Sequence, residues 1–376
     1  MAARGERGKE GTRKLKKRVR RLPLNALGQE QQHFLLTAGA VTVTEKQVAR
    51  MSEAEAYEVF KAIRFRENGG NPVCPYKGCN HRVCYTLRTA RQERRAREGF
   101  VQPIYKCQAC RRQFTVTSKR IFASRKRPFN DILYSLIVFV NGVSGVAALR
   151  ARRADGTSYK TAFVTEHKAR EAMAFSRAVR ELGGERPVDV DGKAVGNHRR
   201  RYVYDGKPTG GRGGGQSIVV VRERGVGGES RIRVVDGDER QAAGWITDLV
   251  KPGTHVFSDG GWSFSHIGPH DMIIHKRGFS KDGVHNNFAE SFFARVQRCE
   301  EGVHYRIWGH NLDLYGQEIS WREDYRREDT GTLWRRLIGA VADAPQSRRF
   351  AGWWQRWQQE DGVKRRKRPW KLAAGN

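Results

Sequence analysis

Apolar residues recur at helical spacing over residues 52–66, and charged residues lie between them. Ser52 followed by Glu55 is the signature of a capping box, so the helix is predicted to begin there. Its apolar stripe consists of Ala56, Val59, Phe60 and Ile63. The pattern predicts an amphipathic helix that packs against a core through this stripe.

Three further helices are predicted at residues 129–140, 146–153 and 157–173, and Gly142 and Gly145 flank the first turn between them. A helix, a turn and a second helix with basic residues are typical of DNA-reading domains. The alternative is an ordinary linker domain of three packed helices, which would have the same arrangement of helices and turns. Both interpretations of this segment remain open at the level of the sequence.

From residue 185 the chain changes to period-two alternation, which indicates strands. In chain order, the pattern predicts strands at 187–191, 202–204, 217–221 and 231–235, a helix at 242–249, strands at 254–258 and 272–275, and a helix at 287–298. Asp236 or Asp238 is the expected N-cap of the first of these helices. Strands and helices in this order predict an α/β domain.

The charge points to the partner. The chain has 376 residues, with 71 Lys and Arg against 40 Asp and Glu, and a formal net charge of +31. Residues 1–22 hold +8 of this surplus, residues 87–127 hold +11 and residues 361–376 hold +5. A surplus of this size implies a polyanionic partner. The longest apolar stretch, 132–149, is interrupted by polar residues, so no membrane span is expected. We therefore expect a cytoplasmic protein that binds nucleic acid.

Five of the six cysteines lie within one short segment, as expected of a metal site in a reducing compartment. Cys107 and Cys110 form a C-x2-C pair, which can hold one tetrahedral Zn²⁺. Cys74 and Cys79 form a C-x4-C pair, and Cys84 is a spare candidate. The sequence predicts a structural zinc ribbon, and buried cysteines without a metal are the simpler alternative.

Two aspartates lie at the ends of predicted strands of the α/β region. If those strands are neighbours, the two carboxylates meet at one edge of the sheet. These residues are Asp191 and Asp259. Paired carboxylates hold Mg²⁺, which prefers hard oxygen ligands. Asn287 and Glu290 share one face of the last predicted helix and could supply a third ligand, and Arg298 could contact a phosphate. Each also has a structural interpretation: the aspartates precede glycines as in turns, and Asn287 with Glu290 resembles a capping box.

Several motifs in order resemble one family of insertion-sequence transposases. They are Val73-Cys74-Pro75, Tyr105 to Cys110, Phe114 to Ser118, Phe122-Ala123-Ser124, Tyr159 to Phe163, Val190-Asp191-Gly192, Ser258-Asp259, His285-x-Asn287-x-x-Glu290-Ser291-Phe292, and Tyr315-x-x-Glu318-x-x-Trp321-Arg322. The chain is similar over about residues 46–360 to insertion-sequence family fifteen-ninety-five, the ISXO-type transposases. Lys77 stands where that family has the second cysteine of the first pair, so Cys79 or Cys84 must replace it.

This resemblance implies an RNase-H-like domain with the catalytic residues of a DDE-type polynucleotidyl transferase. Asp191 and Asp259 would be its two aspartates, and Asn287 or Glu290 the third position. The resemblance implies two catalytic Mg²⁺ or Mn²⁺ ions, a structural Zn²⁺ on Cys74, Cys79, Cys107 and Cys110, and double-stranded DNA as partner, both as terminal inverted repeats and as target. A homodimer or larger synaptic complex is expected by analogy.

The predicted fold class is multi-domain α+β. The predicted units are a basic disordered arm (1–45), a helix with the zinc ribbon (46–127), a helix-turn-helix-like segment (128–180), an RNase-H-like domain (185–330), and C-terminal helices with a basic tail (331–376). DNA contacts are expected from Arg111, Arg112, Tyr159, Lys160 and Arg298. Two alternative functions remain open: a DNA-binding regulator with an inactive catalytic domain, and a structure-selective nuclease on the same fold.

Overall fold

The computed structural model describes residues 34–350, except for 98, 178–179, 196–201, 205–206, 210–215, 237–238, 260–263, 265–267, 274–286, 306, 308, 310 and 348. The basic segments at 1–22 and 361–376 lie outside the described residues. The predicted arm at 1–45 includes folded residues, because two 3-10 turns follow from residue 34. Among the described residues no helix is both long and apolar enough to cross a bilayer.

The described part is a mixed α+β structure. Its elements are α1 (Glu45–Ala49), α2 (Glu53–Arg64), β1 (Cys84–Leu87), α3 (Ala90–Arg97), β2 (Ile104–Cys107), β3 (Gln113–Phe114), α4 (Phe129–Asn141), α5 (Ala148–Asp155), α6 (Tyr159–Phe175), β4 (Val188–Val195), β5 (Tyr202–Tyr204), β6 (Lys207–Thr209), β7 (Gln216–Glu223), β8 (Ser230–Asp236), α7 (Ala243–Leu249), β9 (Val256–Asp259), β10 (His270–Ile273), α8 (Asn287–Cys299), α9 (Leu312–Tyr325) and α10 (Thr330–Asp343).

Helices from both ends of the chain share one apolar core. The predicted capping box of α2 is confirmed, since Ser52 and Glu55 each accept a hydrogen bond from the other's backbone N–H. Helix α4 buries nine of its residues and lies at the centre of this core. Helix α10 packs on α2, α4 and α6 through Trp334 and Leu337. The C-terminal helix is thus part of the same body as the N-terminal helices.

Helix α9 is held to α4 and α6 by buried charges. The guanidinium of Arg170 on α6 donates to the Glu318 carboxylate at 2.6 Å, and both side chains are fully buried. Arg322 donates to Glu318 and to the backbone carbonyls of Phe139 and Val140, which lie at the end of α4. Burial alone would raise the pKa of Glu318, but the two arginines lower it to about 2. The carboxylate is therefore ionised and holds the three helices together.

A five-stranded sheet forms the centre of the α/β region, in the order β10-β9-β4-β7-β8. Strand β4 is antiparallel to β7 and parallel to β9, β7 is antiparallel to β8, and β9 is parallel to β10. Val188 and Val190 of β4 belong to a core cluster with Ile246 of α7. On the other face, Val195 packs in a cluster with Phe292 of α8. Helices therefore cover both faces, and alternate residues of β4 face α8.

The predicted elements of this region are confirmed with shifted ends, and one predicted cap is wrong. Strand β4 continues to Val195, beyond the predicted end at Asp191. Asp236 is the last residue of β8 and does not cap a helix, because a 3-10 turn at Glu239–Ala242 precedes α7. The alternative cap, Asp238, lies outside the described residues.

Candidate metal and nucleic-acid sites

Four cysteines near strands β1, β2 and β3 lie close together in space. The sulfurs of Cys74, Cys79, Cys107 and Cys110 all lie within 4.8 Å of one another. The Sγ atoms of Cys74 and Cys110 are 3.6 Å apart, as are those of Cys79 and Cys107. Tetrahedral zinc with bonds of about 2.3 Å separates its sulfurs by about 3.8 Å. The four thiols therefore fit a closed zinc site.

The structure also distinguishes Cys79 from Cys84, the other candidate for the fourth ligand. The thiol of Cys84 contacts the backbone carbonyl of His81, 3.8 Å away, and is not a member of the cluster. Burial raises the pKa of Cys74 and of Cys84 alike, so the positions of the sulfurs, and not their pKa values, distinguish Cys84 from the cluster. Hydrogen bonds from Arg112 lower the pKa of Cys110 to about 6, which favours the thiolate that binds metal. Cys79, and not Cys84, therefore completes the group of four close thiols that could hold a metal ion.

Basic side chains surround the cysteine cluster. Arg111 and Arg112 directly follow Cys110 and are exposed. The Arg112 guanidinium lies 4.0 Å from the centre of the Tyr76 ring, and the Tyr76 hydroxyl donates to the Gln113 carbonyl at 2.7 Å. This stacking orients Arg112 at the surface, where a planar guanidinium can reach a phosphate.

A second basic surface lies at the turn between α5 and α6. Gly156 has φ of 67°, a left-handed conformation that ends α5, and the Ser158 hydroxyl accepts from the Thr161 N–H to cap α6. Tyr159 and Lys160 are exposed at the start of α6. The exposed arginines of α5 are Arg150, Arg152 and Arg153. The two helices thus present cations around one turn.

The two predicted catalytic aspartates lie on neighbouring parallel strands, each directly after the last residue that pairs with the other strand. The last paired residues of β4 and β9 are Val190 and Ser258, so Asp191 and Asp259 come next on neighbouring strands. Asp191 is half-buried, and its Oδ1 accepts from the Gly192 N–H at 2.7 Å. By alternation Asp191 lies on the face of the sheet that α8 covers. For Asp259 the structure describes the strand position alone.

Helix α8 begins at Asn287 and buries the predicted apolar stripe. The stripe consists of Ala289, Phe292, Phe293 and Val296. Asn287 and Glu290 lie one turn apart and are both exposed. Asn287 was the predicted N-cap, but it is the first helical residue of α8 and therefore lies one position beyond the cap. The structure therefore brings an amide and a carboxylate to the start of the helix that covers the Asp191 face.

A buried aspartate that the sequence reasoning missed fixes the start of α8. The Asp189 side chain is fully buried, its Oδ2 accepts from the Phe288 N–H at 3.1 Å, and its Oδ1 pairs with Arg224. Arg222 donates to the Phe288 carbonyl at 2.9 Å and to the Ser291 hydroxyl at 3.0 Å. The available signal was a second acid two positions before Asp191, on the same face of the strand.

Arg298 lies at the other end of α8. It is eight residues beyond Glu290, about 12 Å along the helix axis. Its exposed side chain lines a cavity next to Trp321 and Arg327. The structure thus places this predicted phosphate contact away from the first turn of α8 and in a pocket of its own.

A comparison with known families matches this part of the chain. Residues 181–324 match the family described as ISXO2-like transposase domain. No curated protein matches the chain. The matched range includes the five-stranded sheet, both candidate aspartates, and helices α7, α8 and α9. Residues 181–324 therefore form a transposase domain of the ISXO2-like family.

Proposed function

We propose that the protein is a DDE-type transposase that cleaves DNA at the ends of an insertion sequence and joins them to target DNA. The family match over residues 181–324 is the observation that carries this proposal. The strand order supports an RNase-H-like fold for the domain, since three antiparallel strands are followed by two that are parallel to the first. Asp191 and Asp259 each follow the last paired residue of the neighbouring strands β4 and β9, which supports their assignment as a pair.

The candidate catalytic residues are oxygen ligands of the kind that Mg²⁺ and Mn²⁺ prefer. Asp191, Asp259 and either Asn287 or Glu290 would hold two such ions, which when bound neutralise charge and assist displacement at phosphorus. Asp189 and Arg222 hold the first turn of α8 against the sheet, so the third ligand is positioned before substrate binds.

The proposed reaction has two displacements. Water attacks a phosphodiester at the element end, which breaks the P–O3′ bond and leaves a 3′-hydroxyl and a 5′-phosphate. The freed 3′-hydroxyl then attacks a phosphodiester of the target DNA and displaces its 3′ oxygen. No covalent enzyme intermediate is needed, because both attacking oxygens come from water or DNA.

The basic surfaces would hold the DNA. The cysteine cluster with Arg111 and Arg112, and the α5–α6 turn with Tyr159 and Lys160, supply cations outside the five-stranded sheet. Contacts of this kind go mainly to phosphates, and they set the position of the protein on the duplex. A homodimer or larger assembly would pair the two element ends.

The test uses the full chain with Mg²⁺ or Mn²⁺ and a supercoiled plasmid that carries the gene with its flanking DNA. Wild type should produce nicked and joined products, and Asp191→Asn should produce neither while still binding DNA. Asp248→Asn is the matched control, because Asp248 is exposed on α7, which covers the opposite face of the sheet.

Three results would contradict the proposal. Unchanged products from Asp191→Asn would show that another site cuts. DNA binding by wild type without any cleavage would favour a regulator with an inactive domain. Cleavage without joining would favour a nuclease on the same fold.

A further inference from the structure

A largely apolar cavity of about 450 Å³ lies between the residues before α1, the turn after α4, and helices α8 and α9. Its apolar lining comes from Leu35, Val41, Val140, Val143, Ile319 and Leu333. The side chains of Val41 and Val143 are 55% and 90% exposed, so they stand at the mouth. A cavity of this size and character fits a ligand with apolar faces.

The mouth of the cavity also carries uncompensated positive charge. Arg298 of α8 and Arg327, just beyond α9, line the cavity and are exposed, and neither has an ion pair or hydrogen bond to any described residue. Arg295 and Arg326 both pair with the single carboxylate of Glu323. The ligand is therefore expected to be anionic as well as partly apolar.

Cations crowd around Arg295, and burial and this crowding both lower the pKa of its guanidinium. Burial lowers the pKa of its guanidinium, and the nearby charges of Arg326 and Arg298 lower it further. The carboxylate of Glu323 acts in the opposite direction but does not restore the pKa. A bound anion would relieve this repulsion.

The cavity lies within reach of DNA held at the candidate catalytic residues. The axial distance along α8 from Glu290 to Arg298 is about 12 Å. At about 3.4 Å per nucleotide of one strand, this corresponds to three or four nucleotides. A strand that leaves the start of α8 along the helix would therefore bring its phosphates to Arg298.

We propose that this cavity receives one unstacked nucleotide of the bound DNA, with the base between the apolar walls and the phosphates at Arg298 and Arg327. The inference rests on the proposed function, since it names a subsite for the same substrate. Intact duplex could satisfy the arginines through its phosphates alone. Intact duplex would not contact the apolar lining of the cavity, because its bases stay stacked inside the double helix. The apolar interior together with the cationic mouth therefore favours an unpaired nucleotide.

The test compares two duplexes of equal length and arbitrary sequence, one blunt and one with three unpaired nucleotides at an end, bound by the full chain without Mg²⁺. Wild type should bind the overhang duplex about tenfold more tightly, in the range of one stacked base. Val143→Trp, which places an indole at the mouth, should abolish this preference and leave blunt-duplex affinity unchanged. The matched control is Val226→Trp, at a similarly exposed valine (73%) in the β7–β8 turn.

The arginines are tested separately. Replacing both Arg298 and Arg327 by alanine should lower overhang binding and reduce the slope of log affinity against log salt by about two. Arg233→Ala, at an exposed arginine on β8, should change that slope by about one at most and keep the preference for the overhang.

Equal wild-type binding of blunt and overhang duplexes, or a preference that survives Val143→Trp, would overturn the nucleotide site while leaving the transposase proposal intact. Absence of DNA binding altogether would overturn both.

Discussion

Replacing Asp189 by asparagine tests how the start of α8 is held beside the candidate catalytic residues. Asp189 is fully buried, accepts from the Phe288 N–H and pairs with Arg224, whose side chain is 14% exposed and lies over the Phe257 ring. Asparagine keeps the shape and one acceptor but loses the charge. Arg224 would then lose the Asp189 carboxylate while remaining largely buried.

The expected loss follows from removal of one partner of this buried ion pair. Breaking a buried ion pair by removing one partner costs about 3–5 kcal/mol, and the partial exposure of Arg224 places this pair near 3 kcal/mol. For a domain of this size, that corresponds to a midpoint of thermal unfolding lowered by about 6–12 °C. Asp191→Asn is the matched control: Asp191 is half-buried on the same strand face, and we expect a change within about 1 kcal/mol.

The assay is thermal unfolding of the two variants and of wild type, with the double variant Asp189→Asn/Arg224→Leu as a fourth sample. Leucine removes the buried charge of Arg224 together with the carboxylate of Asp189, so the double variant should be more stable than Asp189→Asn alone. Equal midpoints for the Asp189 and Asp191 variants would refute the assignment of Asp189 as the residue that positions α8. A further loss in the double variant would refute the ion-pair explanation.

Three other outcomes are expected. Zinc analysis should find one zinc per chain in wild type and in Cys84→Ser but none in Cys79→Ser, and zinc retained by Cys79→Ser would contradict the four-cysteine site. Burial lowers the pKa of His304 from 6.5 to about 4, so its neutral form contributes stability above pH 6.5 that is lost as the pH falls to about 4. The loss in free energy of unfolding amounts to about 3 kcal/mol. In His304→Gln, the free energy of unfolding should fall less steeply between pH 6.5 and about pH 4 than in wild type. An equally steep fall in both proteins would refute the role of His304. Glu290→Gln should reduce Mg²⁺-dependent cleavage more than Asn287→Ala if the carboxylate is the third ligand, and the reverse order would assign that role to the amide.

Elements with strong local patterns could be predicted from the sequence almost to the residue. The capping box at Ser52 and the apolar stripe of α8 depend on neighbours within one turn, so residue spacing specifies them. The cap predicted at Asp236 was wrong because β8 continues through that residue, and strand pairing with β7 outweighs a local turn signal.

Features that depend on distant partners could not be predicted. The C-x4-C spacing from Cys74 favoured Cys79 and left Cys84 as a spare candidate, but only the fold shows which thiol joins the cluster and which one contacts a carbonyl. Asp189 and Arg170 are charged residues in buried positions, and the partners that explain them lie 35 and 148 residues away along the chain. Charge pairing across a fold carries no local period, so the roles of these residues emerge only from the structure.

Movement of DNA in cells tests the transposase proposal most directly. A plasmid would carry the gene with its flanking DNA and a selectable marker between the flanks, in wild-type form and with Asp191→Asn. Wild type should produce insertions of the marked segment at new positions, each bounded by a short duplication of the target, and Asp191→Asn should produce none. Equal numbers of such insertions from both plasmids, or none from a wild-type protein that binds zinc and DNA, would contradict the proposal.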